Sequence, residues 1–349
     1  METGRKKIIL ITQRVDSRDS ILGFFIDWIN EMAKHVEMLH VITLGAGQYS
    51  FPENVKVYEI GKEGGFVVRT LRMMGVIKGL ISQVDGIFVH MCPEYVFALA
   101  PVNIFFKKPV FLWFVHRSVN WRLRLSSIFV SKIFTVGKES CRLKTGKINI
   151  IGHGINNEFF RPNLIPHQAF NILCVGRISP IKDQVTLINA LAELKANDQM
   201  NIKLILVGDV YLETDKEYKN RVKNKIVEAG LADSIDWKGS VDYKDMPVIF
   251  NQANLLINLS PTGGKDKVVL EAMACGLPVL VANKSFVDEV GEHAECFFEF
   301  GNASDLSKKI EHFYNLGADI REEMGKEFSE IVSKKHSLEN LIKQIMHSF

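Results

Sequence analysis

The chain has 349 residues, 47% of them hydrophobic and 24% charged, which excludes a disordered or fibrous protein and suffices for about two globular domains. The net charge is only +3, but residues 1–165 carry 22 basic and 13 acidic side chains, whereas residues 166–349 carry 21 and 27. The first half is therefore predicted to attract an anionic partner. The five cysteines are scattered, and no apolar run reaches the ~18 residues of a membrane span, so a cytoplasmic protein is expected.

Short apolar strands alternate with amphipathic helical stretches along the first half. Strands are predicted at Lys7–Thr12, His40–Leu44, Val55–Glu59, Gly86–His90, Val110–Phe114, Ile133–Val136 and Asn149–Ile151. Helices are predicted near Ser20–Lys34, Val67–Gln83 and Pro93–Ala100. The apolar run behind the basic N-terminus is too short for a signal-peptide core, so it is predicted to be the first buried strand.

The second half shows the same alternation. Strands are predicted at Asn171–Val175, Lys203–Val207, Ser234–Lys238, Leu255–Leu259, Pro278–Ala282 and Cys296–Phe298. Helices are predicted at Asp183–Lys195, Lys216–Ala229, Met246–Gln252, Lys267–Ala274 and Ala303–Asn315. Strands that alternate with helices predict an α/β fold class with two doubly wound, Rossmann-like domains.

We predict that residues 1–162 form the first domain and residues 163–318 the second. The boundary is drawn in a stretch with two prolines, residues 161–168. Residues 319–349 are predicted to be a charged helical tail, for which packing back on the first domain is one expectation. Ligands of such sheets bind at the carboxyl ends of the strands, so a site in the cleft between the two halves is expected.

The stretch from Ser260 to Pro278 carries the most chemical information. Gly263 and Gly264 precede a predicted helix that opens near Asp266 and stops at Gly276. A helix N-terminus behind a glycine turn favours phosphate, because unpaired amides and the helix dipole point there. Glu271, one turn deeper, is suited to accept hydrogen bonds from two sugar hydroxyls. An ordinary capped helix is the alternative for this stretch alone.

A second motif, Gly176-Arg-Ile-Ser-Pro-Ile-Lys182, directly follows the first strand of the second domain. Arg177 offers a planar fork for phosphate oxygens, and Lys182 offers a mobile point charge. Two cations beside an anion-binding helix start suit a diphosphate, whose charge they would stabilise as a bond to it breaks. Each cation alone is more often an ordinary surface charge.

Together these motifs resemble those of the retaining, group 1 glycosyltransferases of the GT-B fold. The stretch from Ser260 to Pro278 ends in Leu270-Glu-Ala-Met-Ala-Cys-Gly-Leu-Pro278, which is similar to the family's donor-site helix. Gly152-His-Gly-Ile-Asn-Asn-Glu-Phe-Phe-Arg-Pro162 resembles the family sequence at the end of the first domain. The resemblance covers most of the chain, and its motifs are specific in the second half and loose in the first.

The resemblance implies a set of site residues. Those implied to be catalytic are Arg177 and Lys182, which would bind the donor diphosphate and stabilise the leaving nucleotide, and His116, which would reach the donor sugar. Those implied to bind the donor are Gly263, Gly264, Lys265, Lys267, Glu271, Gly23 and Val241, with Glu271 taking the ribose hydroxyls. For His116, capping of the backbone at a strand end is an equal alternative.

The chain departs from the family at the residue that normally contacts the donor sugar. The family has a glutamate eight positions before Glu271, where this chain has Gly263. Either the donor sugar differs, or Asp266 or Lys267 takes over the contact. An N-cap role is the preferred interpretation of Asp266, whereas Lys267 is left between a sugar contact and an i,i+4 pair with Glu271.

The first domain gives weaker signals. Gly45-Ala-Gly47-Gln-Tyr-Ser50 lacks the third glycine and the following helix of a dinucleotide fingerprint, so nicotinamide binding is not expected. Gly23, near a helix start, would admit a phosphate or sugar, with Asp19 or Ser20 as N-cap and Asp16 or Asp19 as an acceptor contact. Mixed apolar and basic stretches, including Phe105-Phe-Lys-Lys108 and Trp121-Arg-Leu-Arg-Leu125, suit an anionic membrane surface or, equally, core packing.

The predicted function is transfer of a sugar, with retention of configuration, from a UDP- or GDP-linked donor to a glycan or lipid-linked acceptor in cell-surface polysaccharide or glycoconjugate synthesis. No cofactor, metal site or nucleic-acid partner is expected. The expected location is cytoplasmic, with peripheral contact to the inner face of the membrane. The alternative is a nucleotide-sugar-binding protein that has lost catalysis together with the glutamate at position 263.

Overall fold

The computed structural model describes residues 5–19, 21–163, 165, 168–195, 200–261 and 264–349. The chain divides into two compact units. The first unit contains Met1–Gly154, Asp242–Lys244 and Ser337–Phe349, and the second contains Ile155–Val241 and Asp245–His336. No helix of the described residues is long and apolar enough to cross a membrane.

The first unit is built on a seven-stranded parallel sheet with the strand order β3-β2-β1-β4-β5-β6-β7. The strands are β1 (Lys6–Val15), β2 (Val36–Ala46), β3 (Val55–Glu59), β4 (Gly86–His90), β5 (Val110–Trp113), β6 (Lys132–Thr135) and β7 (Ile148–Ile150). The helices between them are α1 (Phe25–Ala33), α2 (Gly65–Leu80), α3 (Pro93–Phe106) and α4 (Trp121–Phe129).

Side chains of β1 alternate between two cores, because successive residues of a strand point to opposite faces of the sheet. Ile9 and Ile11 lie in the core covered by α2, α3 and α4. Ile8 and Leu10 lie in the core covered by α1 and by residues 338–345 near the end of the chain. Both faces of the sheet are therefore buried, which explains why its central strands are continuous apolar runs.

The second unit has a five-stranded parallel sheet with the order β10-β9-β8-β11-β12. The strands are β8 (Phe170–Val175), β9 (Ile202–Val207), β10 (Ile235–Gly239), β11 (Leu255–Asn258) and β12 (Val279–Val281). The helices are α5 (Gln184–Lys195), α6 (Lys216–Glu228), α7 (Met246–Asn251), α8 (Lys267–Ala274), α9 (Val287–Val290), α10 (Ala303–Asn315) and α11 (Ala318–His336). The last helix of the chain, α12 (Leu338–Met346), belongs to the first unit.

Helix α8 ends where its sequence says it should. Gly276 has a φ of 73°, a left-handed conformation that costs glycine little. The Gly276 amide donates to the carbonyl of Met273, and the Leu277 amide donates to that of Ala272. These two bonds form a Schellman motif. The predicted stop at Gly276 is therefore confirmed.

The predicted fold class, two doubly wound α/β domains, is confirmed, but several elements differ. The segment Cys296–Phe298 is no strand, and only Phe297 makes an isolated bridge to Val281. Helix α3 continues past Pro101, a residue that normally ends a helix, to Phe106. Helix α4 was not predicted, because its exposed face mixes apolar and basic residues without clear periodicity.

The first change of unit falls between Gly154 and Ile155, whereas the sequence placed it after Pro162. Residues 155–162 belong to the second unit because they pack on it. The rings of Phe160 and Phe250 are 5.8 Å apart, and Asn251 donates to the carbonyl of Arg161.

His90, at the end of β4, gives a prediction about acid stability. It is buried, stacks on Phe25 with 4.0 Å between ring centroids, and has Nδ1 3.2 Å from the hydroxyl of Thr12. Burial lowers the pKa of His90 to about 3, whereas an unfolded histidine titrates near ~6.5. Between these values only the unfolded state holds the proton, so acidification favours unfolding.

We expect the free energy of unfolding to fall by up to ~1.4 kcal/mol per pH unit between pH ~6.5 and ~3 because of His90. A His90→Gln variant should lose this contribution, seen as a shallower pH dependence in urea titrations. His312→Gln, which changes an exposed histidine, is the control. Equal slopes for wild type and His90→Gln would contradict the assignment.

Candidate functional site

The two sequence motifs meet at the carboxyl ends of β8 and β11. These strands are neighbours, and the chain moves away from them in opposite directions across the sheet. Open α/β sheets bind ligands at such a topological switch point. Residues 176–182 follow β8, residues 259–261 follow β11, and residues 264–266 directly precede α8. Two segments that are some 80 residues apart in sequence therefore form one site.

Lys182 and Asp266 form a direct ion pair at this site. The Lys182 Nζ lies 2.6 Å from Asp266 Oδ2 and 2.7 Å from the hydroxyl oxygen of Ser260. The same Oδ2 accepts hydrogen bonds from Ser260 at 2.7 Å and from Asn258 Nδ2 at 3.0 Å. Burial raises the pKa of Asp266, but Lys182 and these hydrogen bonds outweigh burial and hold the pKa below its usual value. The carboxylate is therefore charged and neutralises the lysine.

Asp266 occupies the N-cap position of α8 with an extended backbone, φ −66° and ψ 122°. Its side chain makes no capping hydrogen bond. The preferred interpretation of Asp266 as an N-cap is thus correct for its position and wrong for its side chain, because Lys182 competes successfully for the carboxylate.

Glu271 and Lys267 pair on the first turns of α8. Glu271 is buried, and its Oε1 accepts a hydrogen bond from Lys267 Nζ at 2.9 Å. The i,i+4 pair is therefore present, which was one of the two alternatives for Lys267. A buried carboxylate one turn from a helix N-terminus is well placed to accept hydrogen bonds from a hydroxylated ligand.

Lys265 forms an ion pair with Glu289, a buried residue of α9. Its Nζ lies 2.5 Å from Oε1 of Glu289, which also lies 3.0 Å from Nε2 of His336 at the end of α11. Burial raises the pKa of Glu289, but hydrogen bonds from His336 and Lys265 outweigh it, so the pKa is lowered. This cluster holds the side chain of Lys265, which directly precedes the N-cap residue of α8.

Arg177 differs from these lysines. Its side chain is exposed, and none of the described acidic residues forms an ion pair with it. Its carbonyl accepts a hydrogen bond from Gln184 Nε2 at 2.9 Å, which fixes the backbone but not the guanidinium. The loop also passes very close to the one after β9, since a Cβ on Gly208 would lie 1.9 Å from the carbonyl oxygen of Gly176. Arg177 is therefore exposed and without an ion-pair partner among the described residues, on a loop whose backbone Gln184 holds.

The second unit thus contains Arg177, Lys182, Gly264, Lys265, Lys267 and Glu271, on two segments that the Lys182–Asp266 ion pair joins. Val241 follows β10 in the same unit and is half-buried. Gly263 lies outside the described residues. Gly23 and His116 belong to the first unit.

Gly23 is explained by packing within the first unit. A Cβ on Gly23 would lie 2.5 Å from the carbonyl oxygen of Asp19 and 3.1 Å from the Cβ of Tyr243. Oδ1 of Asp19 accepts hydrogen bonds from the amides of Ile21 and Leu22 and so caps the turn before α1. A ligand contact of Gly23 stays a prediction.

The first unit contains a cavity of about 730 Å³ at the carboxyl ends of β4 and β5. Its wall combines aromatic side chains with polar ones, namely Phe66, Tyr95, Phe97, Phe114, Trp121, Gln13, Arg69, Glu94, His116, Asn120 and Arg122. Phe97 and Trp121 are stacked, with 6.1 Å between centroids and an angle of 6°.

His116 is exposed, and its Nδ1 accepts a hydrogen bond from the amide of Ser118 at 3.1 Å. The backbone-capping alternative for His116 is therefore observed.

The outer surface of α2, α3 and α4 is unusually apolar. Of 22 large apolar side chains found exposed among the described residues, 11 fall between residues 66 and 129. They include Phe105, which is 82% exposed, and Trp121, which is 65% exposed. The three helices carry five basic residues and one acidic residue. We call these residues, 66–129 on α2, α3 and α4, the apolar-basic face.

Sequence reasoning offered Glu271 as a partner of Lys267 but missed the partners of Lys182 and Lys265. Ser260 and Asn258 were visible only as the end of a strand, and Glu289 and His336 lie far away in sequence. The one usable signal was the acidic residue at position 266, directly before the predicted helix and beside Lys265 and Lys267. A charge at that position predicts a charged partner nearby.

With this geometry in place, comparison with known proteins identifies the family. Residues 155–330, just over half of the chain, match the family model of group 1 glycosyl transferases. The chain belongs to the group 1 glycosyltransferases, as its motifs predicted.

Curated relatives match over part of the chain. One is spore coat protein SA of Bacillus subtilis, 26% identical over 174 residues, which are 48% of this chain and 45% of that protein. Another is the GDP-mannose-dependent alpha-(1-6)-phosphatidylinositol monomannoside mannosyltransferase of Mycobacterium tuberculosis, 27% identical over 157 residues, 40% of this chain and 39% of that protein. The matched region thus spans less than half of these relatives.

A solved structure matches over the whole fold. The crystal structure of Anabaena Alr3699/HepE in complex with UDP and glucose superimposes with a TM-score of 0.77 at 18% identity, covering 98% of this chain and 99% of that one. At this identity the likeness shows the fold, and it confirms the GT-B class that was predicted for the two doubly wound domains.

Proposed function

We propose that this chain is a retaining glycosyltransferase that moves a sugar from a UDP- or GDP-linked donor to a glycan or lipid-linked acceptor. The observation that carries the proposal is the site at the switch point of the second unit. There, Lys182 lies beside the start of α8, and Glu271 lies one turn deeper. This arrangement offers a cation and helix amides to a diphosphate and a carboxylate to a ribose.

The donor diphosphate is the leaving group in this reaction, so its growing negative charge must be stabilised. Arg177 and Lys182 are assigned this electrostatic role, together with the amides around Gly264 and Lys265. Glu271 is assigned to the ribose. His116 keeps its predicted role at the donor sugar, and Lys267, paired with Glu271, is assigned to orienting that carboxylate. The mechanism needs no residue as a covalent nucleophile on this assignment.

Loss of catalysis is the competing interpretation, since Gly263 stands where the family has a glutamate. Slow hydrolysis of the donor in the absence of acceptor separates the two. Turnover of a UDP- or GDP-sugar supports the transferase, whereas binding without any turnover supports a nucleotide-sugar-binding protein. The anomeric configuration of the transferred sugar, read by NMR, tests retention.

The first prediction from the proposed function concerns the two cations. Arg177→Ala and Lys182→Ala should each lower turnover by ~10²–10³-fold, because each removes a preformed charge from the transition state. The melting temperature should change little in the Arg177 variant, since that side chain is exposed. Lys238→Ala, which removes a paired lysine of the same unit, is the control. Near-normal turnover in either variant would rule out the diphosphate assignment.

The second prediction concerns Glu271→Gln. It should weaken binding of UDP or GDP by ~1.5–3 kcal/mol, because hydrogen bonds to a charged acceptor are lost. Nucleoside diphosphate and nucleotide sugar should be affected equally, and pyrophosphate, which lacks a ribose, should not be affected. If only the sugar nucleotide bound more weakly, Glu271 would contact the sugar instead.

We propose that the first unit binds the acceptor and that it does so at a membrane surface. The apolar-basic face has the composition of an interfacial surface, with aromatic and aliphatic side chains among Lys and Arg. The aromatic cavity lies at the N-terminal ends of the same three helices. A lipid-linked acceptor would use both, whereas a free glycan would need only the cavity.

The third prediction is binding to anionic vesicles. Each Lys or Arg near an anionic surface contributes ~1 kcal/mol, and this attraction weakens as the Debye length falls from ~10 Å at 0.1 M salt to ~3 Å at 1 M. Co-sedimentation should therefore favour anionic over neutral vesicles and should decline with salt. An Ile104→Ser/Phe105→Ser variant should bind anionic vesicles more weakly than wild type. The control, Phe300→Ser, changes an exposed position of the second unit and should bind them as wild type does. Equal binding to both lipids, or none at low salt, would exclude the membrane surface.

A further inference from the structure

Lys182, which the proposed function assigns to the donor diphosphate, is already paired with a carboxylate of the protein. Lys182 contacts Asp266 at 2.6 Å, and Ser260 bridges the two side chains. Both side chains are largely sheltered from solvent, with 19% and 28% exposure. An ion pair in such a setting interacts more strongly than one at the surface. A diphosphate can gain Lys182 only in competition with this carboxylate.

Asp266 is also placed close to the incoming phosphates. It is the residue just before the first turn of α8, where the dipole and amides attract an anion. Its carboxylate does not satisfy those amides, because it has turned to Lys182. The helix start thus attracts the diphosphate, while Asp266, one residue away, repels it.

The other cations of the loop show the same matching. Lys265 is paired with Glu289, and Lys267 is paired with Glu271. Arg177 is the exception, as it is exposed and forms no ion pair among the described residues. Arg177 and the N-terminus of α8 therefore attract the donor first, while Lys182 stays paired with Asp266.

We infer that Asp266 is an internal competitor for the donor diphosphate, which weakens ground-state binding and reserves Lys182 for the leaving group. The inference rests on the proposed donor site. As the bond to the sugar breaks, the diphosphate gains negative charge and draws Lys182 more strongly than Asp266 does. An interaction that is realised mainly in the transition state raises turnover without tightening the binding of donor or product.

A structural role for Asp266 predicts the opposite sign. If the carboxylate served only to hold Lys182 and the loop in place, its loss would misplace the lysine and weaken binding. A competitor, when removed, strengthens binding. The direction of the change in affinity therefore separates the two roles, and a general loss of stability cannot imitate an increase in affinity.

The test is isothermal titration calorimetry with UDP, GDP and pyrophosphate on the full chain. Asp266→Asn keeps the shape of the side chain and removes its charge, so it should bind its preferred nucleoside diphosphate on the order of tenfold more tightly than wild type, ~1.4 kcal/mol. Turnover at saturating donor should not rise. Asp236→Asn, which removes a carboxylate paired with Lys238 on the same unit, is the control for net charge and should change nothing.

A double variant keeps the test decisive if Asp266→Asn folds poorly. Lys182→Ala leaves Asp266 as an unpaired anion in the site and should bind diphosphate very weakly. Lys182→Ala/Asp266→Asn removes both charges and should bind more tightly than Lys182→Ala alone. Affinity that is unchanged or lower on removing Asp266, in either background, overturns the inference. If wild type binds neither nucleotide, the proposed donor site itself fails; if it binds and Asp266→Asn does not tighten, only this inference fails.

Discussion

The parallel pairing of β11 with β8 is the constraint on which the candidate site depends. Leu255 and Leu256 pair with Ile172 and Leu173, and all four are essentially inaccessible to solvent. This register brings the loop after β8 and the start of α8 to the same edge of the sheet. Helix α8 is itself buried, so the edge is a rigid platform. Catalysis by positioned charges requires such a platform, because misplaced charges stabilise little.

The charges on this platform are nearly balanced before any ligand arrives. Lysines 182, 265 and 267 each have a carboxylate partner within 3 Å. Such matching lowers the energy of burying several ions in one place, since an unpaired buried charge is strongly destabilising. It also means that positive sequence motifs overstate the attraction for phosphate. Among the site cations that the structure describes, only the exposed Arg177 has no carboxylate partner within the described residues.

Much of the second unit could be predicted from the sequence, and the reasons are local. The bounds of α8 follow from its apolar pattern and from Gly276, whose left-handed conformation few other residues adopt easily. The direction of the Asp266 side chain could not be predicted, because an aspartate before a helix usually caps it. Only the fold reveals that Lys182 and Ser260 offer a better partner. The pairing of Glu289 with Lys265 could not be predicted either, because only the fold brings these two residues together.

The first unit was predicted less completely. Its strands are apolar runs and were found, but α4 was not, because Trp121, Leu125 and Ile128 point outward where an ordinary amphipathic helix has polar residues. The pattern of α4 is not typical of a helix whose outer face is solvated. It is typical of a helix whose outer face contacts an apolar environment.

Hydrogen exchange, followed by mass spectrometry with and without saturating UDP or GDP, tests the central claim most directly. Bound nucleotide should slow exchange of backbone amides in residues 176–182 and 264–271, because the ligand would be held by these two segments. Protection of both segments by one of the two nucleotides is the result that the account predicts. Nucleotide binding that leaves both segments unprotected, or that protects only the first unit, would contradict it.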